Sequence, residues 1–241
     1  MAFQGYTQET VDFLWGIRFN NERGWFMEHK QDYQAHLLAP TRALAEQVYD
    51  AIHEMCPDDP FLLKLSRIYR DARRLHGQGP YKDHLWFCIR TGDQDWTGRP
   101  TFYFEIGPDY YSYGMGFWCP RPALMAAYRR SLDQHPETLS RLVRQFNKQE
   151  VFTLSGPEYA RSKGETTALL QPWYNRKSIN LQHDGPLDER IFSPAGAGRH
   201  RRLPGADAPV SVFRQAVRLC RRKLTKYRLD KPPTVRYSNA V

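Results

Sequence analysis

The chain has 241 residues, 41% of them hydrophobic and 14% aromatic, which is enough apolar material for one globular domain whose core needs neither disulfides nor a structural metal. Its formal net charge of +9 lies in residues 201–241, where eleven Lys or Arg stand against two Asp, so residues 1–200 are balanced and do not form a uniformly basic domain. No apolar run reaches the length of a membrane span and the N-terminus lacks a basic region followed by an apolar one, which predicts a protein with neither membrane anchor nor signal peptide.

The cysteines and histidines show no pattern of a metal site or a catalytic triad. Cys56, Cys88, Cys119 and Cys220 are widely separated and form no CxxC pair, which favours a reducing, cytoplasmic compartment. The eight histidines include no HxxxH pair, and no serine lies in a Gly-x-Ser-x-Gly segment. We therefore predict that the chain uses no metal and no cofactor.

The first quarter of the chain has the periodicity of amphipathic helices. Thr7 is a suitable N-cap for a helix that runs to about Arg18. Asn20-Asn21 precede a second predicted helix, from Glu22 to about Leu38, because either asparagine can cap it. Pro40 suits the first turn of a third helix with an ordinary buried stripe.

Alternating apolar residues replace this periodicity from Phe61 onwards. Leu63 and Leu65 alternate with polar residues, and three later segments are typical of strands: His84 to Arg90, Thr101 to Ile106 and Tyr110 to Trp118. Gly107-Pro108-Asp109 has the chemistry of a turn, so the last two strands are predicted to form a hairpin. Gly114 and Gly116 predict either a bulge or a close backbone approach in the last strand.

Helices follow the strands as well as precede them, because Pro122 and Pro136 can each open one. The sequence therefore predicts an α+β fold, in which N-terminal and C-terminal helices cover a mostly antiparallel sheet in the middle of the chain, as a single domain over residues 1–241. The later segments are predicted to be a short helix at Pro157 to Ser162, a short strand at Lys177 to Leu181, a loop at Pro194 to Ala208, and a basic C-terminal helix and tail at about 208–241.

The segment from Arg67 to Lys82 is the predicted site. Gly77, Gly79 and Pro80 break both helix and strand, so the residues on either side of them form two arms of a turn that can converge. Arginine forks and lysine bind phosphate or carboxylate, and an aromatic ring can stack on a base or a sugar. The residues predicted to bind the ligand are Asn21, Trp25, Arg70, Asp71, Arg73, Tyr81 and Lys82. The alternative is that Asp71 only neutralises Arg70 or Arg73 in a structural network.

Three blocks of the sequence are similar to a known family. They are Asn20 to Phe26 with Lys30 and Tyr33, then Arg67 to Lys82, then Tyr103 to Gly116 followed by Pro122-Ala123-Leu124. Together they resemble the uncharacterised family called domain of unknown function 2461. The resemblance implies a single α+β domain and brings no established activity. The chain departs from the family pattern at Arg74, where an aromatic is usual, and at Gly77-Gln78, where an Asp-Lys pair is usual.

Three functions fit these observations. The first is binding of a small anionic ligand, such as a phosphate-bearing compound, in a cationic cleft formed by the predicted site. The second is a nucleic-acid-binding module that uses the basic C-terminal helix, although no nucleic-acid motif is present. The third is a structural or interaction protein without a catalytic site. The sequence leaves the reaction and the oligomeric state open.

Overall fold

The computed structural model describes residues 3–71, 73, 75, 77–92, 96–188 and 190–192. Its N-terminal part contains the helices α1 (Gln8–Phe19), α2 (Arg23–Glu28), α3 (Lys30–Asp32) and α4 (Ala39–Met55), and a π-helical segment, Tyr33–Leu38, joins α3 to α4. The first predicted helix is confirmed. The second is interrupted at His29, and Pro40 lies in the first turn of α4, as predicted, although α4 follows the π-helical segment without a break.

Pro40 removes one backbone donor from this continuing helical segment. Proline has no N–H group, so the carbonyl of His36, four residues earlier, lacks its ordinary α-helical partner. The hydroxyl of Thr10, a fully buried residue of α1, donates to the His36 carbonyl at 2.6 Å. The same hydroxyl oxygen accepts from the Thr7 N–H at 3.3 Å. Thr10 therefore joins α1 to the π-helical segment through its hydrogen bond to the His36 carbonyl.

Replacement of Thr10 by valine is expected to lower the free energy of unfolding by about 1–3 kcal/mol, although the two side chains have nearly the same shape. Valine supplies no hydroxyl, so the His36 carbonyl loses its donor inside the helical layer. Chemical denaturation of wild type and variant measures the difference. Thr167→Val, at an exposed position, is the control and should change the free energy by no more than about 0.5 kcal/mol. Equal effects of the two substitutions would contradict the role given to Thr10.

Six strands form one antiparallel sheet in the order β1-β2-β3-β4-β6-β5. The strands are β1 (Phe61–Leu65), β2 (Leu85–Thr91), β3 (Thr101–Ile106), β4 (Tyr110–Gly116), β5 (Thr153–Ser155) and β6 (Asn180–Pro186). A short 3-10 helix, Trp96–Gly98, precedes β3. The predicted hairpin is present, and the N–H of Gly107 donates to the carbonyl of Tyr110 at 2.9 Å in its turn. The predicted α+β class is confirmed.

The two faces of this sheet have different chemistry because side chains alternate along each strand. One face carries apolar residues such as Phe87 and Phe104, and the helices α1 and α4 pack with it in the hydrophobic core. The ring of Tyr6 stacks on Phe104 with a centroid separation of 6.3 Å. The opposite face, called the polar face below, carries two cross-strand rows: Trp86, Glu105, Ser112 and Asp184, and beside them Lys64, Cys88, Tyr103, Gly114 and Gln182.

Gly114 and Gly116 let β4 approach β6 closely. A Cβ atom at Gly114 would lie 2.2 Å from the carbonyl oxygen of Leu181, and one at Gly116 would lie 2.6 Å from that of Ile179. The register between β4 and β6 runs without a break from one end of β4 to the other. Of the two alternatives that the glycines predicted, the close backbone approach is confirmed and the bulge is wrong.

The later helices begin at the predicted prolines. They are α5 (Pro122–Gln134) and α6 (Pro136–Phe146), and a further short helix, α7 (Gln171–Tyr174), follows them. The ring of Phe146 packs edge-on against Trp173 of α7 with a centroid separation of 5.3 Å. These helices flank the sheet on its β5 side through partly buried side chains such as Phe146.

Two predictions for the region after residue 151 need correction. The predicted short helix at Pro157 to Ser162 is wrong, because Glu158 instead forms an isolated β-bridge with Arg176, whose guanidinium pairs with the Glu158 carboxylate at 3.1 Å. The predicted strand at Lys177 to Leu181 begins later, at Asn180, and continues to Pro186 because it pairs with the whole of β4. The predicted loop from Pro194 and the basic C-terminal helix at about 208–241 lie outside the described residues. Within the described ranges, no helix combines the length and the apolar character needed to cross a membrane.

Candidate functional site

The two arms of the Arg67 to Lys82 segment lie side by side, as the glycine and proline positions predict. Tyr69 and Tyr81 form an antiparallel bridge. The N–H of Arg70 donates to the carbonyl of Pro80, and the N–H of Lys82 donates to the carbonyl of Ile68, both at 2.8 Å. Gly77 has a φ of +79°, a backbone conformation that glycine adopts without strain. The turn therefore brings Arg70 and Lys82 onto paired, extended arms.

Extended geometry separates Tyr81 from Lys82, because successive side chains of an extended chain point to opposite sides. Tyr81 is 3% exposed, and its ring stacks on Phe26 of α2 with a centroid separation of 4.3 Å. Burial raises the pKa of its phenol. The prediction that Tyr81 lines a solvent-accessible cleft beside Lys82 is therefore wrong, since Tyr81 belongs to the core.

Asn21 contacts this turn through the backbone of Tyr81. Its side-chain amide donates to the Tyr81 carbonyl at 2.9 Å, and its side-chain oxygen accepts from the Tyr81 N–H, also at 2.9 Å. Arg70 Nε donates to the same carbonyl at 2.8 Å. Gly79 leaves room for this arrangement, because a Cβ atom there would lie 2.3 Å from the Asn21 side-chain oxygen. Asn21 and Arg70 thus both contact the backbone of Tyr81, and Asn21 has a positioning role here.

The other three predicted residues have partners of their own. The ring of Trp25 stacks on His29 with a centroid separation of 4.0 Å, and it packs against Gly16, where a Cβ atom would lie 2.5 Å from the indole. The guanidinium of Arg73 makes two hydrogen bonds of 3.1 Å to the carboxylate of Asp71. The alternative in which Asp71 neutralises Arg73 therefore describes this pair, and Trp25 lies in the helical layer.

The carboxylate of Asp83, the residue after Lys82, contacts three basic side chains. Its carboxylate accepts from Arg18 Nε at 2.7 Å, contacts His84 Nδ1 at 3.1 Å and lies 3.9 Å from Arg70 Nη2. Burial raises the pKa of this carboxyl, but the hydrogen bonds from Arg18 and His84 outweigh burial and hold the pKa below its usual range. Arg70 therefore donates to the Tyr81 carbonyl and lies at the limit of ion-pair distance from Asp83.

Asp83→Asn is expected to lower the free energy of unfolding at neutral pH by roughly 1–2 kcal/mol, since it weakens charge-assisted hydrogen bonds to partly exposed partners. A depressed carboxyl pKa stabilises the fold above the unfolded-state value of about 3.9, and this contribution is lost as the pH falls through the folded-state pKa. The difference between wild type and variant, from denaturation curves at several pH values, should therefore shrink as the pH falls below about 4. Asp58→Asn, at an exposed position, is the control. A pH-independent difference would contradict the ionic role of Asp83.

Lys82 lies on the same side as the polar face. Its Nζ is 5.5 Å from the ring centroid of Trp86, and the side chain is half-buried. Burial lowers the pKa of this amine, and the nearby charge of Arg70 lowers it further, as do Arg67 and Lys64, while Glu105 acts in the opposite direction. Among the described residues, no carboxylate lies within ion-pair distance of the amine. Lys82 is thus a half-buried cation among other cations.

The polar face next to Lys82 contains hydrogen-bonded acids and phenols that were missing from the predicted site. The Tyr110 hydroxyl donates to the Glu105 carboxylate, and burial together with this bond raises the pKa of the phenol. The hydroxyls of Tyr103 and Ser112 are 3.2 Å apart. The alternation of polar residues along β3 and β4 is the signal that could have indicated these side chains. No group of three or more His, Cys, Asp or Glu that could hold a metal ion occurs within the described part of the chain.

The fold and this site define an α+β protein in which a short basic turn borders the polar face of an antiparallel sheet. The chain belongs to the family of conserved hypothetical proteins DUF2461, which matches residues 9–199. The resemblance found in the three sequence blocks is therefore confirmed. A search of curated proteins finds no match to the chain.

Proposed function

We propose that this protein binds a small anionic ligand, of the phosphate-bearing class, through Arg70 and Lys82. The observation that carries the proposal is the state of Lys82: a half-buried amine beside Arg70, with no carboxylate at ion-pair distance among the described residues. Like charges held close together repel, and withdrawing them from water is unfavourable. A bound anion would offset both penalties through its attraction to the two cations.

The chemistry of the neighbouring side chains suits such a ligand. Arg70 Nε donates to the Tyr81 carbonyl and Nη2 lies 3.9 Å from the Asp83 carboxylate, so an anion that reaches the terminal nitrogens of the guanidinium would compete with Asp83. Arg67 and Lys64 are exposed and add positive charge at the edge of the site. The indole of Trp86 offers a flat surface on which a sugar or a base could stack beside the amine.

In this proposal Asn21 and Tyr81 do not contact the anion but position the arm that carries Lys82. Both act on the arm that carries Lys82, Asn21 through two backbone hydrogen bonds and Tyr81 through its ring on Phe26. Asp71 and Arg73 neutralise each other, and Trp25 packs on His29, so these three residues are not included among the proposed ligand contacts.

Lys82→Met is expected to weaken binding of inorganic phosphate or sulfate by about 1.5–3 kcal/mol, the range for charge-assisted hydrogen bonds, while the fold stays intact because methionine keeps the apolar stem. Thermal-shift screening of phosphate, sulfate, sugar phosphates and nucleotides, followed by calorimetric titration of each anion that stabilises wild type, measures the change. Lys148→Met is the matched control, since Lys148 is exposed after α6. Arg70→Ala should weaken binding by a similar amount, but it also removes the bond to Tyr81.

The proposal fails if no anion in the screen stabilises the wild-type protein. It fails equally if Lys82→Met and Lys148→Met weaken binding by the same amount, because the anion would then respond only to overall charge. Titrations at two salt concentrations separate these cases, since exposed charges are screened far more strongly than half-buried ones.

A further inference from the structure

We propose that Tyr159 and three cations around its ring form a second anion site, which takes a small anion with adjacent negative charges, of the diphosphate class. The cations are Arg129, Lys163 and Lys177, and the four residues are called the Tyr159 cluster below. The inference goes beyond the proposed function, because the cluster shares no residue with the site at Arg70 and Lys82.

Three positive charges lie over one aromatic ring in this cluster. Lys163 Nζ is 4.7 Å, the guanidinium carbon of Arg129 5.3 Å and Lys177 Nζ 5.7 Å from the centroid of the Tyr159 ring. Each of the other cation–π contacts in the described part of the chain pairs one ring with one cation. The attraction of a ring for a cation is weak at a partly exposed position, so a single phenol ring does not compensate three charges that repel one another.

No carboxylate compensates the three cations either. Among the described residues, no Asp or Glu oxygen lies within ion-pair distance of any of them. Glu158, the residue before the ring, is paired with the guanidinium of Arg176 at 3.1 Å. Asp133, one turn after Arg129 on α5, accepts from the hydroxyl of Tyr174 at 3.3 Å. The cluster therefore has a local excess of positive charge, which attracts a multiply charged anion.

Tyr159 offers a ligand the edge of its ring rather than a face, because the cations lie over the ring. Its hydroxyl makes no hydrogen bond to another described residue, so it can donate one to a phosphate oxygen. Single-stranded nucleic acid is bound largely by stacking of its bases on aromatic faces. Occupied faces therefore favour a small anion, held by the cations and the hydroxyl, over a stacked base.

Backbone hydrogen bonds fix Tyr159 and Lys177 relative to each other. The N–H of Tyr159 donates to the carbonyl of Asn175 at 2.9 Å, and the side-chain amide of Asn175 donates to the carbonyl of Tyr159 at 3.1 Å. The N–H of Lys177 donates to the carbonyl of Pro157 at 2.7 Å. The two chain segments thus lie side by side, and both residues of the cluster are held at their Cα positions.

The backbone that carries Lys163 is also held in place. The hydroxyl of Ser162 donates to the carbonyl of Gly164 at 2.6 Å, and Gln171 Nε2 of α7 donates to the same carbonyl at 3.2 Å. Arg129 belongs to α5 and is half-buried. Because the backbone positions are fixed before binding, an anion has to order only the ends of the side chains, which lowers the entropic cost of binding.

Protection of lysines from acylation tests the inference. The full chain is treated with a limiting amount of an amine-acylating reagent, with and without pyrophosphate at constant ionic strength, and each acylated lysine is quantified by peptide mass spectrometry. We expect pyrophosphate to slow acylation of Lys163 and Lys177 several-fold and to leave the exposed Lys30 and Lys148 unchanged. Orthophosphate at the same concentration should protect less. Protection of Lys82 reports on the proposed function and is scored separately.

Variants of the cluster are compared with a charge-matched control. Pyrophosphate is titrated calorimetrically in the Lys82→Met background, so that the two anion sites do not overlap. Adding Lys163→Met and Lys177→Met together should weaken binding roughly tenfold, as expected for two exposed charge contacts, whereas Lys30→Met with Lys148→Met removes the same charge and should change it by less than about twofold. Tyr159→Phe keeps the ring and should weaken binding several-fold.

The results bear on this proposal independently of the site at Lys82. Protection confined to Lys163 and Lys177, together with a selective effect of their double variant, supports it even if Lys82 is not protected. If pyrophosphate protects all exposed lysines alike, or if the double variant and its control weaken binding equally, the cluster responds only to overall charge and the proposal is overturned. If an oligonucleotide protects Lys163 and Lys177 while pyrophosphate does not, the ligand class is overturned.

Discussion

Replacement of Phe26 by alanine is expected to lower the free energy of unfolding by about 3–5 kcal/mol, the range for truncation of a buried aromatic side chain. Phe26 is 1% exposed and packs on three tyrosine rings, with centroid separations of 5.6 Å to Tyr33, 5.7 Å to Tyr69 and 4.3 Å to Tyr81. The substitution therefore leaves a cavity under the arm that carries Lys82. Urea denaturation followed by tryptophan fluorescence measures the loss.

Phe19→Ala is the matched control for this prediction. Phe19 lies at the end of α1, is 75% exposed and stacks only on the neighbouring Trp15 among the described aromatic contacts. Its truncation should cost about 1 kcal/mol or less. If Phe26→Ala is no more destabilising than Phe19→Ala, the packing of Tyr81 on Phe26 does not stabilise the fold and does not hold the arm that carries Lys82.

Asn21→Ala is expected to lower the free energy of unfolding by about 2–4 kcal/mol. The substitution removes two hydrogen bonds and leaves the N–H of Tyr81 without its partner, and the loss of such a partner in a buried place adds to the loss of the bonds themselves. It should also reduce anion binding, because Asn21 holds the arm next to Lys82. Denaturation and sulfate titration of the same variant measure the two effects.

The neighbouring asparagine provides the control. Asn20 is exposed and donates a single bond, to the Gly16 carbonyl at the end of α1, at 3.0 Å. Asn20→Ala should cost about 0.5–1 kcal/mol and leave sulfate affinity unchanged. Equal effects of the two substitutions would mean that the asparagines act only as helix caps.

The sequence predicted those elements whose signals are local. Pro122 and Pro136 fix the starts of α5 and α6, and the alternation from Thr101 to Ile106 gives β3 its bounds, because both signals act within a few residues. The π-helical segment accepts a hydrogen bond from Thr10, a residue of another helix, and helical periodicity could not indicate such a contact. The strand β5 has only three residues and was missed because so short a segment carries no measurable alternation.

The parts of the site that were predicted are also those whose signals are local in the sequence. The turn at Gly77 to Pro80 is a local signal, and it places Arg70 beside Lys82. Tyr81 was predicted to contact the ligand together with Lys82. Side chains alternate along an extended arm, so the sequence alone already indicated that Tyr81 and Lys82 lie on opposite sides. The contact between Asn21 and Tyr81 spans 60 residues, and no local pattern encodes it. The loop between β2 and β3 leaves their register open, so the pairing of Trp86 with Glu105 required the structure.

Nucleic-acid binding by the basic C-terminal segment stays a prediction, because residues 193–241 lie outside the described residues. The single-domain prediction covers the same residues and also stays a prediction. The cytoplasmic prediction also stays a prediction, since it depends only on the scattered cysteines.

The arrangement around Asp83 has a consequence for how an anion could enter. Asp83 contacts Arg18 at 2.7 Å and His84 at 3.1 Å, whereas Arg70 is the most distant of its three basic partners, at 3.9 Å. The guanidinium of Arg70 can therefore exchange the Asp83 carboxylate for an incoming anion, because Asp83 keeps its contacts with Arg18 and His84. Exchange of this kind needs no rearrangement of the backbone, because Tyr81 keeps hold of Arg70 Nε throughout. If the proposed anion binds here, we expect it to meet a preorganised surface, with an affinity limited by the competition between Asp83 and the anion for the guanidinium group of Arg70.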